Sequence, residues 1–124
     1  MINETQIKHY GNKLEFETDS WDLNDALQKG EKVIVVDARS AKSYAEEHIP
    51  GAINLPHRTM SAESTRLWDR TALYVTYCDG IGCNASTKGA LNLSRLGFRV
   101  KELIGGIHWW KRDGYPTGGT SVRE

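Results

Sequence analysis

The sequence predicts an α/β fold: a central, mostly parallel sheet of about five strands flanked by helices on both faces. Three observations carry that expectation. Short apolar runs alternate with segments of helical spacing, the order that sets parallel strands beside crossover helices. Residues 33–36, Val-Ile-Val-Val, are four consecutive β-branched residues between Lys32 and Asp37, which suits a strand covered on both faces. The 124 residues, 39% of them hydrophobic, supply one core and not two. Residues 1–124 are therefore read as a single domain, with its core over about 14–118 and a flexible C-terminal tail over 117–124.

Each element has its own warrant. Residues 14–18 read as a short first strand. Asp19 or Ser20 then caps a helix whose apolar positions Trp21, Leu23, Ala26 and Leu27 end at Gly30. Residues 32–37 form the strand already described. Ser40 caps a short helix through Glu47, closed by His48-Ile49-Pro50-Gly51, because the residue before a proline avoids the α region. Residues 52–55 suggest another short strand, 61–69 a helix and 73–77 a strand. Residues 84–96 are expected as a helix with Ala90, Leu91, Leu93 and Ser94 turned inward, stopping at Gly97. A last strand over 99–104 runs into Gly105-Gly106, and 107–112 open one or two final helical turns.

Charge and composition exclude several classes. The 16 basic residues balance the 16 acidic ones, so the chain lacks the electrostatic footprint of a nucleic-acid binder or a polybasic membrane anchor. The first residues carry no basic segment followed by an apolar one, and no apolar run is long enough to cross a bilayer. A cytoplasmic protein acting on small or protein substrates, without nucleic acid or membrane, is expected. Two cysteines five positions apart are too few for a secreted disulfide framework and lack the C-x-x-C spacing of zinc or thioredoxin-like sites. Reduced thiols are expected.

Both cysteines fall on one bend, Tyr77-Cys78-Asp79-Gly80-Ile81-Gly82-Cys83-Asn84, at the carboxyl end of a strand and before a helix, where open α/β sheets bind ligands. Gly80 and Gly82 let successive backbone N–H groups converge as an anion-holding nest. The N-terminus of the following helix adds its unpaired N–H groups and about half a positive charge. Cys78 in that cradle is expected to ionise below the free thiol value of about 8.5 and to rest as a thiolate; a small buried hydrophobe is the plainer role for a cysteine after a strand. Gly80-Ile81-Gly82-Cys83-Asn84-Ala85 also matches G-x-G-x-x-G/A, with Glu102 near the offset of a ribose contact. Too little chain follows Ala85 for a dinucleotide-binding half. The phosphatase loop C-x5-R needs an arginine to clamp phosphate, and Asn84 stands at that place, so phosphate-ester hydrolysis is disfavoured.

Five segments, in order, resemble those of single-domain rhodanese-like sulfurtransferases. They are Val33 to Arg39, Tyr44 to Asn54 with its His48-Ile-Pro-Gly-Ala, Tyr77-Cys78 with the glycine bend, Leu96-Gly97-Phe98, and Leu103 to Trp110 with Gly114-Tyr-Pro116. The resemblance implies a parallel sheet wrapped by helices and a catalytic Cys78 that carries a sulfane sulfur as a persulfide. The substrate-binding cradle would be Asp79, Gly80, Ile81, Gly82, Cys83 and Asn84, with Asp37, Arg39 and His48 in support. The implied reaction moves sulfur from thiosulfate or a persulfide donor to a thiol or cyanide acceptor, with a sulfur-relay protein as a further partner class, and uses no metal or organic cofactor. The alternative is a catalytically weak rhodanese-like module, regulatory or redox-sensing, that uses Cys78 and Cys83 as a redox pair.

Departures from the family pattern set further expectations. Where active thiosulfate enzymes carry cationic loop residues, this chain has Asp79, Gly80 and Ile81, and an acidic Asp79 at the mouth should cost a dianionic donor about 1 kcal/mol. Thiosulfate is expected to be a poor donor. Cys83 is either a second thiol that resolves or accepts the sulfur of the first, or a small residue filling the helix start. Asp37 and Arg39 are expected as an ion-paired frame behind the loop, and His48 as a turn-fixing residue. His57 and Arg58 read as a solvated pair, or else as an entrance that attracts an anion. Trp109 and Trp110 are expected against the sheet, Leu67 and Trp68 on a helix face, and Lys88 as solvated charge.

Overall fold

The computed structural model describes residues 1–122. Five strands make one sheet: β1 (Glu17–Thr18), β2 (Val33–Asp37), β3 (Ile53–Asn54), β4 (Leu73–Tyr77) and β5 (Arg99–Leu103). Their order is β1-β5-β4-β2-β3, and every pairing is parallel. Five helices accompany them: α1 (Glu4–Phe16), α2 (Ser20–Gln28), α3 (Ala41–Glu46), α4 (Ala85–Arg95) and α5 (Gly106–Arg112). Alternate strand residues point to opposite faces, and each face has its own apolar cluster. Val35, Val75, Tyr77 and Leu103 pack with Leu23 of α2 and with Ile107 and Trp110 of α5. Val36 and Tyr74 pack with Leu93 of α4 and with Phe98. This is the expected α/β architecture.

The predicted caps hold where a side chain makes them. Asp19 accepts from the Asp22 N–H at 2.8 Å and starts α2, and Ser40 accepts from Ser43 at 3.2 Å and starts α3. Gly97 ends α4 at φ 91°, a left-handed position that favours glycine.

Four elements differ from the expectation. Residues 4–16 form α1 and leave only Glu17–Thr18 as strand, because Asn3 caps the helix through Gln6 and Lys13 pairs with Glu17 at 3.1 Å. None of the helix's residues is buried, so no core face marks it. Residues 61–69 are a chain of turns rather than a helix. The Ser61 and Ser64 hydroxyls each accept the other residue's N–H, at 3.0 and 2.9 Å, and such side-chain bonds compete with helical ones. On α4 the inner stripe is Ser86, Gly89 and Leu93, while Leu91 and Ser94 face solvent. Last, residues 117–122 of the expected tail are tied down, together with Pro116 before them. Gly118 and His48 exchange backbone hydrogen bonds at 2.9 Å, Thr120 and Ser121 donate to Ala45 and Glu46, and the Trp110 indole donates to Pro116. Residues 123 and 124 lie outside the described residues.

Glu47 helps hold that segment. Its carboxylate accepts from Lys111 Nζ at 2.8 Å and from the Thr117 hydroxyl at 2.6 Å. Those bonds, Lys111 first, hold the carboxyl below its ordinary value of 4.5. A depressed carboxyl stabilises above its unfolded value and loses that contribution as pH falls through the folded one. Hydrogen-exchange protection at Gly118 and Thr120, relative to Val75, is therefore expected to fall on acidification below about pH 4.5. The change should be less than about 5-fold, because exposed pairs contribute under ~1 kcal/mol.

Candidate active site

β2 and β4 are neighbours, yet the chain leaves β2 for β3 on one side and β4 for β5 on the other. The crevice beyond their carboxyl ends is thus the topological switch point of the sheet. A cleft of about 510 Å³ opens there. Ala38 and Arg39 line it after β2, His57 and Arg58 after β3, and Cys78, Asp79 and Cys83 after β4.

Cys78 is 2% exposed, and two elements fix its peptide. Its carbonyl accepts from the Ile107 N–H at 3.0 Å, and that of Asp79 accepts from His108 at 2.9 Å. Unpaired N–H groups in the first turn of α5 thus clamp the start of the bend. So close an approach needs glycine at the helix start. A Cβ on Gly106, at φ 59°, would overlap the Cys78 carbonyl oxygen and stand 2.9 Å from that of Asp79. The Gly105-Gly106 pair is the signal that sequence reasoning passed over.

The bend folds back on itself, with the Cys83 N–H donating to the Gly80 carbonyl at 3.1 Å. That brings the Cα atoms of Cys78 and Cys83 to 6.0 Å, and their sulfurs are joined as a disulfide. Separations of roughly 4.4–6.8 Å suit such a bridge. Both thiols, expected reduced, are therefore bonded, and Cys78 is not a resting thiolate in this state.

The expected cradle is also narrower than residues 79–83. The Cys83 N–H serves the turn, whereas those of Asp79, Gly80, Ile81 and Gly82 have no acceptor among the described residues. Asn84 makes no side-chain cap to α4, so the first-turn donors of that helix lack that partner. Of the residues expected to bind substrate, Asp79 and Cys83 line the cleft. Gly80, Ile81, Gly82 and Asn84 instead border a smaller hollow of about 190 Å³ beside Ser86 and Glu102. The Ile81 side chain faces solvent.

Behind the bend lies a polar frame. Asp37 is fully buried and accepts from Arg39 Nε at 3.0 Å, from Arg39 NH2 at 2.7 Å and from the Tyr77 hydroxyl at 2.8 Å. The Tyr77 oxygen in turn accepts from the Ile49 N–H at 3.1 Å. Burial, and then the Asp37 charge, push the Tyr77 hydroxyl far above the phenol range, which keeps it a donor. Burial opposes the Arg39 charge, but bonds to Asp37 and Asp79 outweigh it and hold the guanidinium above its ordinary value.

Arg39 reaches forward as well, donating from NH1 to Asp79 at 2.9 Å. The carboxylate expected to repel an anionic donor therefore shares the Arg39 cation with Asp37, which offsets part of its charge. At the mouth, His57 and Arg58 line the cleft together. Burial, then Lys88 and Arg58, lower the His57 pKa. Arg58 and Lys88 have no carboxylate within ion-pair distance among the described residues. His48 stands apart from the cleft. Its Nδ1 pairs with the Tyr44 carbonyl at 2.7 Å and its ring stacks on Tyr44, so it fixes the turn. Trp110 is buried and Trp109 is 40% exposed. Trp68 stacks on Tyr74, while Leu67 is exposed.

Comparison with known proteins adds independent findings. Residues 20–113 match the rhodanese-like domain. A crystal structure of a Bacillus halodurans protein superposes with a TM-score of 0.90 at 43% identity, covering 95% of this chain and 87% of that one. The thiosulfate sulfurtransferase GlpE of Coxiella burnetii is 34% identical over 87 residues, 68% of this chain and 78% of the relative. An HTH-type transcriptional regulator of Mycobacterium tuberculosis is 34% identical over 86 residues, and the match spans only 37% of that longer protein. The strand order, the cysteine bend at the switch point and these matches agree, and the chain belongs to the rhodanese-like domain family.

Proposed function

We propose that the protein is a sulfurtransferase that carries a sulfane sulfur on Cys78. One observation supports this above the others: Cys78 follows β4 at the switch point of the sheet, in a cleft wall, at the start of a bend whose N–H groups at residues 79–82 have no acceptor among the described residues. Reduction of the Cys78–Cys83 bridge opens the site, and a reducing cytoplasm supplies that condition. The Cys78 thiolate then attacks the outer sulfur of thiosulfate or of an organic persulfide. The donor's S–S bond breaks, and sulfite or a thiolate leaves with the electron pair. The new persulfide anion lies against the free N–H groups. An acceptor thiolate or cyanide attacks the outer sulfur and restores the Cys78 thiolate. With Asp79 held by Arg39, the mouth presents Arg58 and His57 to an anionic donor, so thiosulfate enters against less repulsion than the sequence alone implied.

The test is intact mass. Reduced, desalted protein exposed to thiosulfate or glutathione persulfide should gain one sulfur atom at Cys78 before any onward step, and cyanide should remove it as thiocyanate. A Cys78→Ser variant that gains the same labile sulfur defeats the assignment.

A second reading has the disulfide itself as its motivation. If the pair links readily under peroxide and sulfur transfer is negligible, the domain is a redox-sensing module, a use compatible with its match to part of a transcriptional regulator.

A further inference from the structure

The disulfide joins two residues of one bend, both in the wall of the cleft. Cys78 is buried and Cys83 is half-buried at the bend's outer end. The Gly80–Cys83 turn brings the second sulfur back to the first, with the Cα atoms 6.0 Å apart. A carboxylate oxygen of Asp79 lies within 4.8 Å of both sulfurs, and Arg39 bonds that carboxylate at 2.9 Å. Nothing in transfer to an external acceptor requires a second thiol here.

We propose that Cys83 is a resolving residue that gives the site a second outcome, reductive release of hydrosulfide. The proposal rests on the Cys78 persulfide reading above. The bridge places Cys83 Sγ at bonding distance from Cys78 Sγ, which is the inner sulfur once the persulfide has formed. The outer sulfur stands one bond further on. Which sulfur a thiolate attacks decides the products of exchange. Attack on the outer sulfur would only move the persulfide to Cys83. Attack on the inner sulfur forms the Cys78–Cys83 bond and breaks the bond between Cys78 and the outer sulfur.

The step balances. Cys83 enters as a thiol and gives up its proton, and its sulfur supplies the electron pair of the new bond. The outer sulfur leaves with the electron pair of the old bond and, with one proton, departs as hydrosulfide. The sulfane sulfur is reduced, and the two cysteine sulfurs end oxidised as the disulfide that the structure contains. A dithiol reductant then opens the bridge by exchange, leaving as its own cyclic disulfide and returning both thiols.

The test is a single turnover without dithiol. Fully reduced, desalted wild type mixed with one equivalent of glutathione persulfide should release hydrosulfide and finish two hydrogens lighter than the reduced protein. A second equivalent of the donor should release no further hydrosulfide unless the bridge has first been reduced with dithiothreitol and the dithiol removed. Cys83→Ser and Cys83→Ala should both retain the added sulfur, with first-turnover release slowed at least about 100-fold, because the attacking thiol is no longer held in place. The proposal is overturned if either variant releases hydrosulfide at the wild-type rate, or if wild type keeps its added sulfur and forms no bridge. If the Cys83 variants acquire no sulfur that cyanide removes, the parent persulfide reading has failed instead, and the resolving step falls with it.

Discussion

Asp37→Ala is expected to lower the unfolding free energy by about 3–5 kcal/mol, read as a fall in the urea midpoint with little change in slope. The reason is the buried charge it abandons. The Arg39 side chain is only 8% exposed, and Asp37 accepts two of its strongest bonds together with the Tyr77 hydroxyl. Truncation leaves a guanidinium in the interior with only the exposed Asp79 as counter-ion, and a phenol donor without its acceptor. For a domain whose whole stability is about 5–15 kcal/mol, such a loss approaches unfolding. The other partner of Arg39 provides the control. The Asp79 side chain is 71% exposed, so Asp79→Ala should cost under about 1 kcal/mol. A result in which both substitutions cost the same would mean that the frame behind the bend is not the structural unit described.

Gly106→Ala is expected to act on the bend. The residue sits at φ 59°, where an added Cβ strains the backbone by about 1–2 kcal/mol. The larger effect is steric. The methyl would overlap the Cys78 carbonyl oxygen that Ile107 holds and crowd that of Asp79. These groups are backbone and have no rotamer to yield, so α5 or the bend must shift. Combined destabilisation of at least about 3 kcal/mol follows. The reduced variant, where it folds, should load sulfur at least about 100-fold more slowly, as expected for displacement of a reacting group by about 1 Å. Gly11→Ala is the control. It lies in exposed α1 with open space around its Cβ position, and it should leave loading untouched.

What the sequence made legible follows the range of the interactions. The run of β-branched residues, the serine and aspartate caps, and the Cys-Asp-Gly bend between β4 and α4 are local patterns, and they appear where local chemistry places them. The ion pair of Asp37 with Arg39 was also legible, two residues apart on a strand end. Contacts between distant segments were not. The hold of Arg39 on Asp79 spans 40 positions, and it weakens the repulsion expected of Asp79. The clamp of α5 on the Cys78 peptide depends on glycines nearly thirty residues downstream. The closure of Cys78 on Cys83 depends on how tightly the bend turns, which two glycines permit without requiring. Helix α1 escaped notice for a different reason: with every residue exposed, it has no buried stripe to show its period.

Main-chain N–H groups around the bend are proposed to favour the anionic form of Cys78. The direct measurement is the pH dependence of iodoacetamide alkylation of Cys78 in reduced Cys83→Ser protein, where only one thiol remains. A midpoint at or below about pH 7.5 is expected. A midpoint at or above the free-thiol value of about 8.5 would contradict it, because burial would then outweigh the N–H groups at this sulfur.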